Sequence, residues 1–286
     1  RTIATMLLSD VDLKSYTDTA YHNEELKSLT RYRFDKVRER AKLKQSVSRL
    51  VTILFPELEK LVPSLHIASV YALLSEYPGA KQISEIHLTK LTNLLVTASK
   101  GRYGKDKAIQ IRDAARTSIG SVMPAKSLEL KHTIKLIREL TSEIDEIEVS
   151  IQKIMDELNP PILSIPGVGI QSAAMILAEI GDISRFKNSS SLIAFAGIDP
   201  TVRQSGEFNS THNHMSKRGS PYLRHAIFLA ATTCSFHNSP LNAYYKKKRD
   251  QGKHHLTATG AVARKLTTVI YAVLRDSKPY EPKKFC

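Results

Sequence analysis

This 286-residue sequence predicts a mainly α protein: a long helical coiled-coil region followed by a compact helical C-terminal domain. Three observations carry that expectation. Apolar residues recur at three- and four-residue spacing over two stretches too long for strands, 24–54 and 125–158. Breaker residues fall between the helical patterns, at Phe55-Pro56, Tyr77-Pro-Gly79 and Asn159-Pro-Pro161. Ala-rich apolar patterns then return at 173–180 and 258–274. The expected boundaries are 1–22, 23–158 and 159–286.

Residues 1–22 read as a short helix over 1–8 and a polar turn around Ser9-Asp10, with Asp10, Asp12 and Asp18 as helix-end and turn acids. The first residue is Arg1, without a signal peptide's apolar stretch, so residues upstream are expected to be missing. Over 24–54, Leu26, Leu29, Phe34, Val37, Leu43, Val47, Leu50 and Leu54 share one broad face. Seven cations from Arg31 to Lys44 crowd the remainder, either a solvated face or a rail for nucleic-acid phosphates. Helices are predicted at 64–75, 83–99 and 108–118, with a basic turn at Lys100-Gly-Arg-Tyr-Gly-Lys-Asp-Lys107 that lacks P-loop spacing. In 125–158, Leu130, Ile137, Leu140, Ile144, Ile147, Ile151, Ile154 and Leu158 form a coiled-coil seam. Acidic residues flank it. The basic 24–54 helix is one candidate partner, antiparallel and favoured by charge; the same helix of a second subunit is the other.

Ile165-Pro-Gly-Val-Gly169 precedes the helix pattern of 173–180. Gly167 and Gly169 allow a tight turn that leaves N–H groups free at a helix N-terminus, a place for a phosphate oxygen. With 158–165 upstream this reads as a helix-hairpin-helix, or equally as a turn between packed helices. Arg203-Gln-Ser-Gly206 follows in an aperiodic polar segment. Ser205, beside glycine, is sterically open as a nucleophile must be, and Arg203, Lys217, Arg218 and Arg224 supply cations for a phosphate. A Ser-Gly in a polar loop is also ordinary turn chemistry. Tyr244-Tyr-Lys-Lys-Lys-Arg249 joins aromatic rings to Lys246, Lys247 and Lys248, suited to stacking and phosphate contact, or simply the charged end of a helix.

Net charge is +14, and mean hydropathy is −0.23. From Thr201 onward there are fifteen Lys and Arg against four Asp and Glu, so +11 of the charge lies in the last 86 residues, which points to a polyanion. No apolar run approaches the about 20 residues of a membrane span. Two cysteines, Cys234 and Cys286, fit a reducing compartment. Ten histidines, His212 and His214 among them, show no zinc spacing, and no metal site is expected in the chain.

The ordered run Ile165-Pro-Gly-Val-Gly, Glu179-Ile-Gly-Asp-Ile-Ser-Arg-Phe186, Leu192-Ile-Ala-Phe-Ala-Gly-Ile-Asp-Pro200, Gln204-Ser-Gly206, Ser216-Lys-Arg-Gly219 and Tyr222-Leu-Arg224 closely resembles the C-terminal domain of the bridge-RNA-guided insertion-sequence transposases, the IS one-ten and eleven-eleven group related to Piv invertases. The resemblance continues through Ala261-Val-Ala-Arg-Lys-Leu266 and is looser upstream. It implies a bacterial, cytoplasmic DNA transposase with DNA and a structured guide RNA as partners, and a homo-oligomer. Ser205 would be the nucleophile; Mg²⁺ would be held by acids of an N-terminal RuvC-like domain, of which 1–22 would be the remnant. The chain alone is expected to bind nucleic acid without cutting it. A non-catalytic helix-hairpin-helix module is the alternative, and a coiled-coil assembly subunit a third reading.

Overall fold

The computed structural model describes residues 21–201, 204–205, 208–209, 214–237 and 240–282. The helix expected over 1–8, Asp10, Asp12, Asp18, Arg203, His212 and Cys286 lie outside them. The described residues are mainly α. The helices are α1 (Tyr21–Leu54), α2 (Leu58–Leu61), α3 (Ala68–Glu76), α4 (Ala80–Glu85), α5 (Leu88–Ser99), α6 (Lys105–Arg116), α7 (Pro124–Leu158), α8 (Ile170–Ile180), α9 (Ser189–Ala196), α10 (Pro221–Cys234), α11 (Pro240–Asp250) and α12 (His255–Asp276). One two-residue strand pair, β1 (Gln204–Ser205) with β2 (Phe208–Asn209), accompanies them. No helix is long and apolar enough to cross a membrane among the described residues.

Two compact units divide the chain: residues 32–149, and residues 1–31 with 150–286. In the first, the 32–54 part of α1 lies antiparallel to the 124–149 part of α7. The pairing is fixed by its cross-links: Arg33 Nε donates to Glu148 at 2.8 Å, Lys36 Nζ sits 2.6 Å from Glu143, and Arg40 Nη1 donates to Thr141 Oγ1 at 3.2 Å. This is the antiparallel arrangement that opposite charge favoured. Val47, Leu50, Val51 and Leu54 bury against Leu130, Ile134 and Ile137, with α2–α6 closing the core through Leu58, Leu73, Leu74, Ile83, Leu91, Leu95 and Ile111.

Phe55-Pro56 does end α1, and Glu57 then ties the distant 118–120 loop to the break, accepting from the Ser118 hydroxyl and, at 3.0 Å, the Ile119 N–H. Burial works against ionisation of Glu57, but those bonds hold its carboxyl below the ordinary value. Gly120 needs its missing side chain: a Cβ there would stand 2.4 Å from the Leu54 carbonyl oxygen.

Two expectations are corrected in part. A single helix over 83–99 is split at Ile86-His87, both extended. The five-residue step from Ile86 to Leu91 would swing a continuous helix's later residues off the core face; the break lets Ile83, Ile86, Leu91 and Leu95 all bury. At the end of α7, Leu158 is 41% exposed whereas Met155 is buried, four residues after buried Ile151.

In the second unit α12 is the central helix. Ala258 to Ala263 are buried without a break, followed by Leu266, Thr267, Val269, Ile270 and Val273. Such a helix, apolar around most of its circumference, needs neighbours on several sides, and α9, α10 and α11 each pack on it while α8 packs on α10. The hydroxyls of Thr259 and Thr267, almost fully buried, donate to the carbonyls four residues earlier, so neither is left unpaired.

Candidate active site on a glycine-braced hairpin

Helix α9 ends where Gly197 turns left-handed (φ 65°), its N–H bonding back to the Ala194 and Ile193 carbonyls. The chain then runs extended and pairs antiparallel with its own return. The Ser216 N–H donates to Asp199 O at 2.9 Å, Pro200 bridges Met215, and the Thr201 N–H donates to His214 O at 2.7 Å. Farther out Gln204 faces Asn209 and Ser205 faces Phe208. Ser205 is thus part of the described strand β1. Its side chain lies outside the described residues, as does Arg203.

Two glycines brace the root of this hairpin. A Cβ on Gly219 would fall 1.8 Å from the Phe195 carbonyl oxygen, and one on Gly197 2.8 Å from Arg224 Nη1 and 2.9 Å from the Arg218 nitrogen. Across that close approach Lys217, itself left-handed (φ 53°), donates its N–H to Gly197 O at 3.0 Å, and the Ser220 N–H donates to Phe195 O at 2.9 Å. The Ser216 hydroxyl donates to Asp199 Oδ1 and locks the two strands through side chains as well.

Behind the root sits a buried carboxylate. Glu179 of α8 is 2% exposed, accepts Arg31 Nε at 2.6 Å and Nη2 at 3.0 Å, and accepts the Ser220 hydroxyl at 2.7 Å. Ser220 also caps α10, accepting the Leu223 N–H. The Arg31 guanidinium lies 4.7 Å over the Tyr222 ring. Burial works to raise the carboxyl of Glu179, but the Arg31 and Ser220 bonds outweigh it and hold it below its ordinary value, so it is an ionised anchor. The sequence suggested no role for Glu179, Ser220 or Asp199, and Arg31, expected on a solvated face or a phosphate rail, instead pairs with Glu179. The signal for Glu179 was present: an acid amid Ala173–Ile180 must be paired if it is buried.

The predicted residues fall in different places. Lys217 and Arg218 are exposed beside the stem. Lys217, His214 and Arg264 line an open groove of about 510 Å³ over apolar Phe228 and Leu256. Arg224 is half-buried and donates Nη1 to the Ala196 carbonyl at 3.2 Å, closing the end of α9. Gly167 is left-handed (φ 90°), and a Cβ there would lie 2.8 Å from the backbone of Cys234, so packing explains this glycine. The buried Cys234 thiol donates to the Pro166 carbonyl, and burial pushes it up to about 11. Gly169 opens α8 with no side-chain cap and has open space around it. Lys246 and Lys247 are exposed on α11; Lys248 lies 5.4 Å from the Tyr244 ring and bonds Gln251 at 3.2 Å. Lys265 of α12 also faces that ring, at 4.9 Å. Among the described residues, no hydrogen bond, ion pair or ring contact joins the α11 lysines to the stem. Among the described residues, no cluster of three or more His, Cys, Asp and Glu side chains is placed to hold a metal ion.

Residues 159–246, which contain the hairpin, both bracing glycines and Glu179, match the model of the "Transposase IS116/IS110/IS902 family". The chain is 28% identical over 278 residues to an uncharacterized 43.6 kDa protein of insertion element IS110 from Streptomyces coelicolor, covering 95% of this chain and 68% of that protein. It is 28% identical over 262 residues to an uncharacterized 44.8 kDa protein of insertion element IS116 from Streptomyces clavuligerus, covering 90% and 65%. It is 29% identical over 219 residues to a pilin gene-inverting protein of Moraxella bovis, covering 74% and 66%. The chain thus spans about two thirds of these relatives' own length.

Proposed function

We propose that this chain, a relative of the IS116/IS110/IS902 transposases, is the serine-bearing part of a DNA transposase that cuts and rejoins strands through a covalent intermediate. The observation that supports the proposal is the backbone setting of Ser205. Ser205 pairs with Phe208 in a short strand pair inside the segment 159–246, which also carries the exposed Lys217 and Arg218.

The Ser205 oxygen attacks a DNA phosphorus, an O–P bond forms, and the strand's leaving oxygen departs with a proton. The phosphoserine ester conserves the phosphoester bond, so a second strand's hydroxyl can attack the same phosphorus and release the serine without a nucleotide cofactor. Arg203, Lys217 and Arg218 hold the phosphate and offset its charge in the transition state. Mg²⁺ would bind carboxylates of an N-terminal RuvC-like domain beyond these residues and would supply charge neutralisation and hydroxyl activation. The described residues offer no cluster that fits it. DNA, a structured guide RNA and further copies of the chain are the proposed partners, in the bacterial cytoplasm.

A second reading has its own support. The open, uncapped start of α8 at Gly169 suits a backbone phosphate, as in a non-catalytic helix-hairpin-helix module. Strand transfer by the complete protein separates the two. Ser205→Ala should reduce cleavage and joining by on the order of 10³-fold or more while nucleic-acid binding persists. Undiminished strand transfer by that variant would leave only the binding module.

A further inference from the structure

The row of cations on α1 is neutralised unevenly. Arg33 and Lys36 face Glu148 and Glu143 of α7, whereas one and two turns further along, Arg40 and Lys44 face Thr141 and Arg138. These side chains, with His66 and Tyr71, line a cavity of about 390 Å³ within the 32–149 unit, and no carboxylate lines it. Among the described residues none of Arg40, Lys44 and Arg138 takes part in an ion pair. Three like charges around one concavity repel unless an anion enters. The remaining polar groups bring no negative charge. His66 is held between Ser48 at 3.3 Å and the Tyr71 hydroxyl at 3.0 Å, and burial together with the Lys44 charge pushes the imidazole down, leaving it neutral at pH 7. Tyr71, nearly buried, is pushed up to about 12 and keeps its proton. Arg40 and Arg138 bring planar forks that match phosphate oxygens. The volume is of the size that takes a nucleotide rather than a bare ion.

We infer that this cavity binds a backbone phosphate of a nucleic-acid strand, gripped by Arg40, Lys44 and Arg138. The inference rests on the reading of the chain as a nucleic-acid-handling protein, but concerns a unit that does not contain Ser205. Its test is a salt titration of binding to single-stranded DNA and RNA oligonucleotides of one sequence. Lys44→Gln and Arg138→Gln should each weaken both nucleic acids about tenfold and lower the slope of log K against log salt by about 0.7, with an unchanged thermal melt. In the unsubstituted chain, bound oligonucleotide should slow acylation of Lys44 but not of Lys81, a readout that survives if a variant misfolds. Unchanged slopes together with an unprotected Lys44 would overturn the inference while leaving Ser205 chemistry standing. A melt raised by inorganic phosphate and abolished by the variants, with oligonucleotide slopes unchanged, would assign a free anion instead and also overturn it. No oligonucleotide binding by the unsubstituted chain would overturn both readings.

Discussion

Glu179 is the residue on which the hairpin's root depends, because a carboxylate 2% exposed is stable only while Arg31 and Ser220 hold it. Arg31→Met should cost about 2 kcal/mol in urea unfolding, discounted because Arg31 is itself 41% exposed. The pH dependence should change sign. With its carboxyl held below the ordinary 4.5, Glu179 contributes stability above that value which disappears as pH falls through the folded-state value. Without Arg31 burial dominates, so the variant should regain stability on acidification from neutral pH; an unchanged profile would contradict this account. Gly219→Ala, which drives a Cβ into the Phe195 carbonyl, should cost about 3 kcal/mol, whereas Gly169→Ala, in open space, should cost under about 1 kcal/mol. Thermal melts of the pair check both. The sequence marked Gly219 and Gly169 alike as motif glycines; only the folded approach of 195 to 219 separates them. Nor could it show that Arg31 meets Glu179, since a contact across 148 residues leaves no trace in local spacing.

At the scale of elements, the α1–α7 pair takes its stability from buried apolar contact rather than from its ion pairs. Ile134→Ala should cost about 3 kcal/mol, while Lys36→Ala, losing a pair whose Glu143 is 46% exposed, should leave stability nearly unchanged. Chemical denaturation of the two variants measures the difference. Both helices were legible because their apolar spacing persists over many turns and Pro residues end them. The α4–α5 break was not. No Pro or Gly marks Ile86-His87, and the extended backbone there is imposed by what Leu91 and Leu95 must reach. The strand pair was also invisible as strand: four paired residues in a polar run carry no period, and Ser205 read only as an open loop serine.

For the whole molecule, a net charge of +14 suits a polyanion partner but does not specify any chemistry. The chemical proposal rests on one hairpin, inside a segment that matches a transposase family, in a chain spanning about two thirds of its relatives. The chain by itself should retard nucleic acid in a salt-sensitive manner without cleaving it, as native gels and strand-scission assays would report. The decisive measurement is peptide mass spectrometry of the complete protein after reaction is interrupted on its DNA. A nucleotide adduct on the peptide carrying Ser205, absent from Ser205→Ala, is the predicted result. Strand transfer with no adduct there, or with an adduct on another residue, would contradict the account.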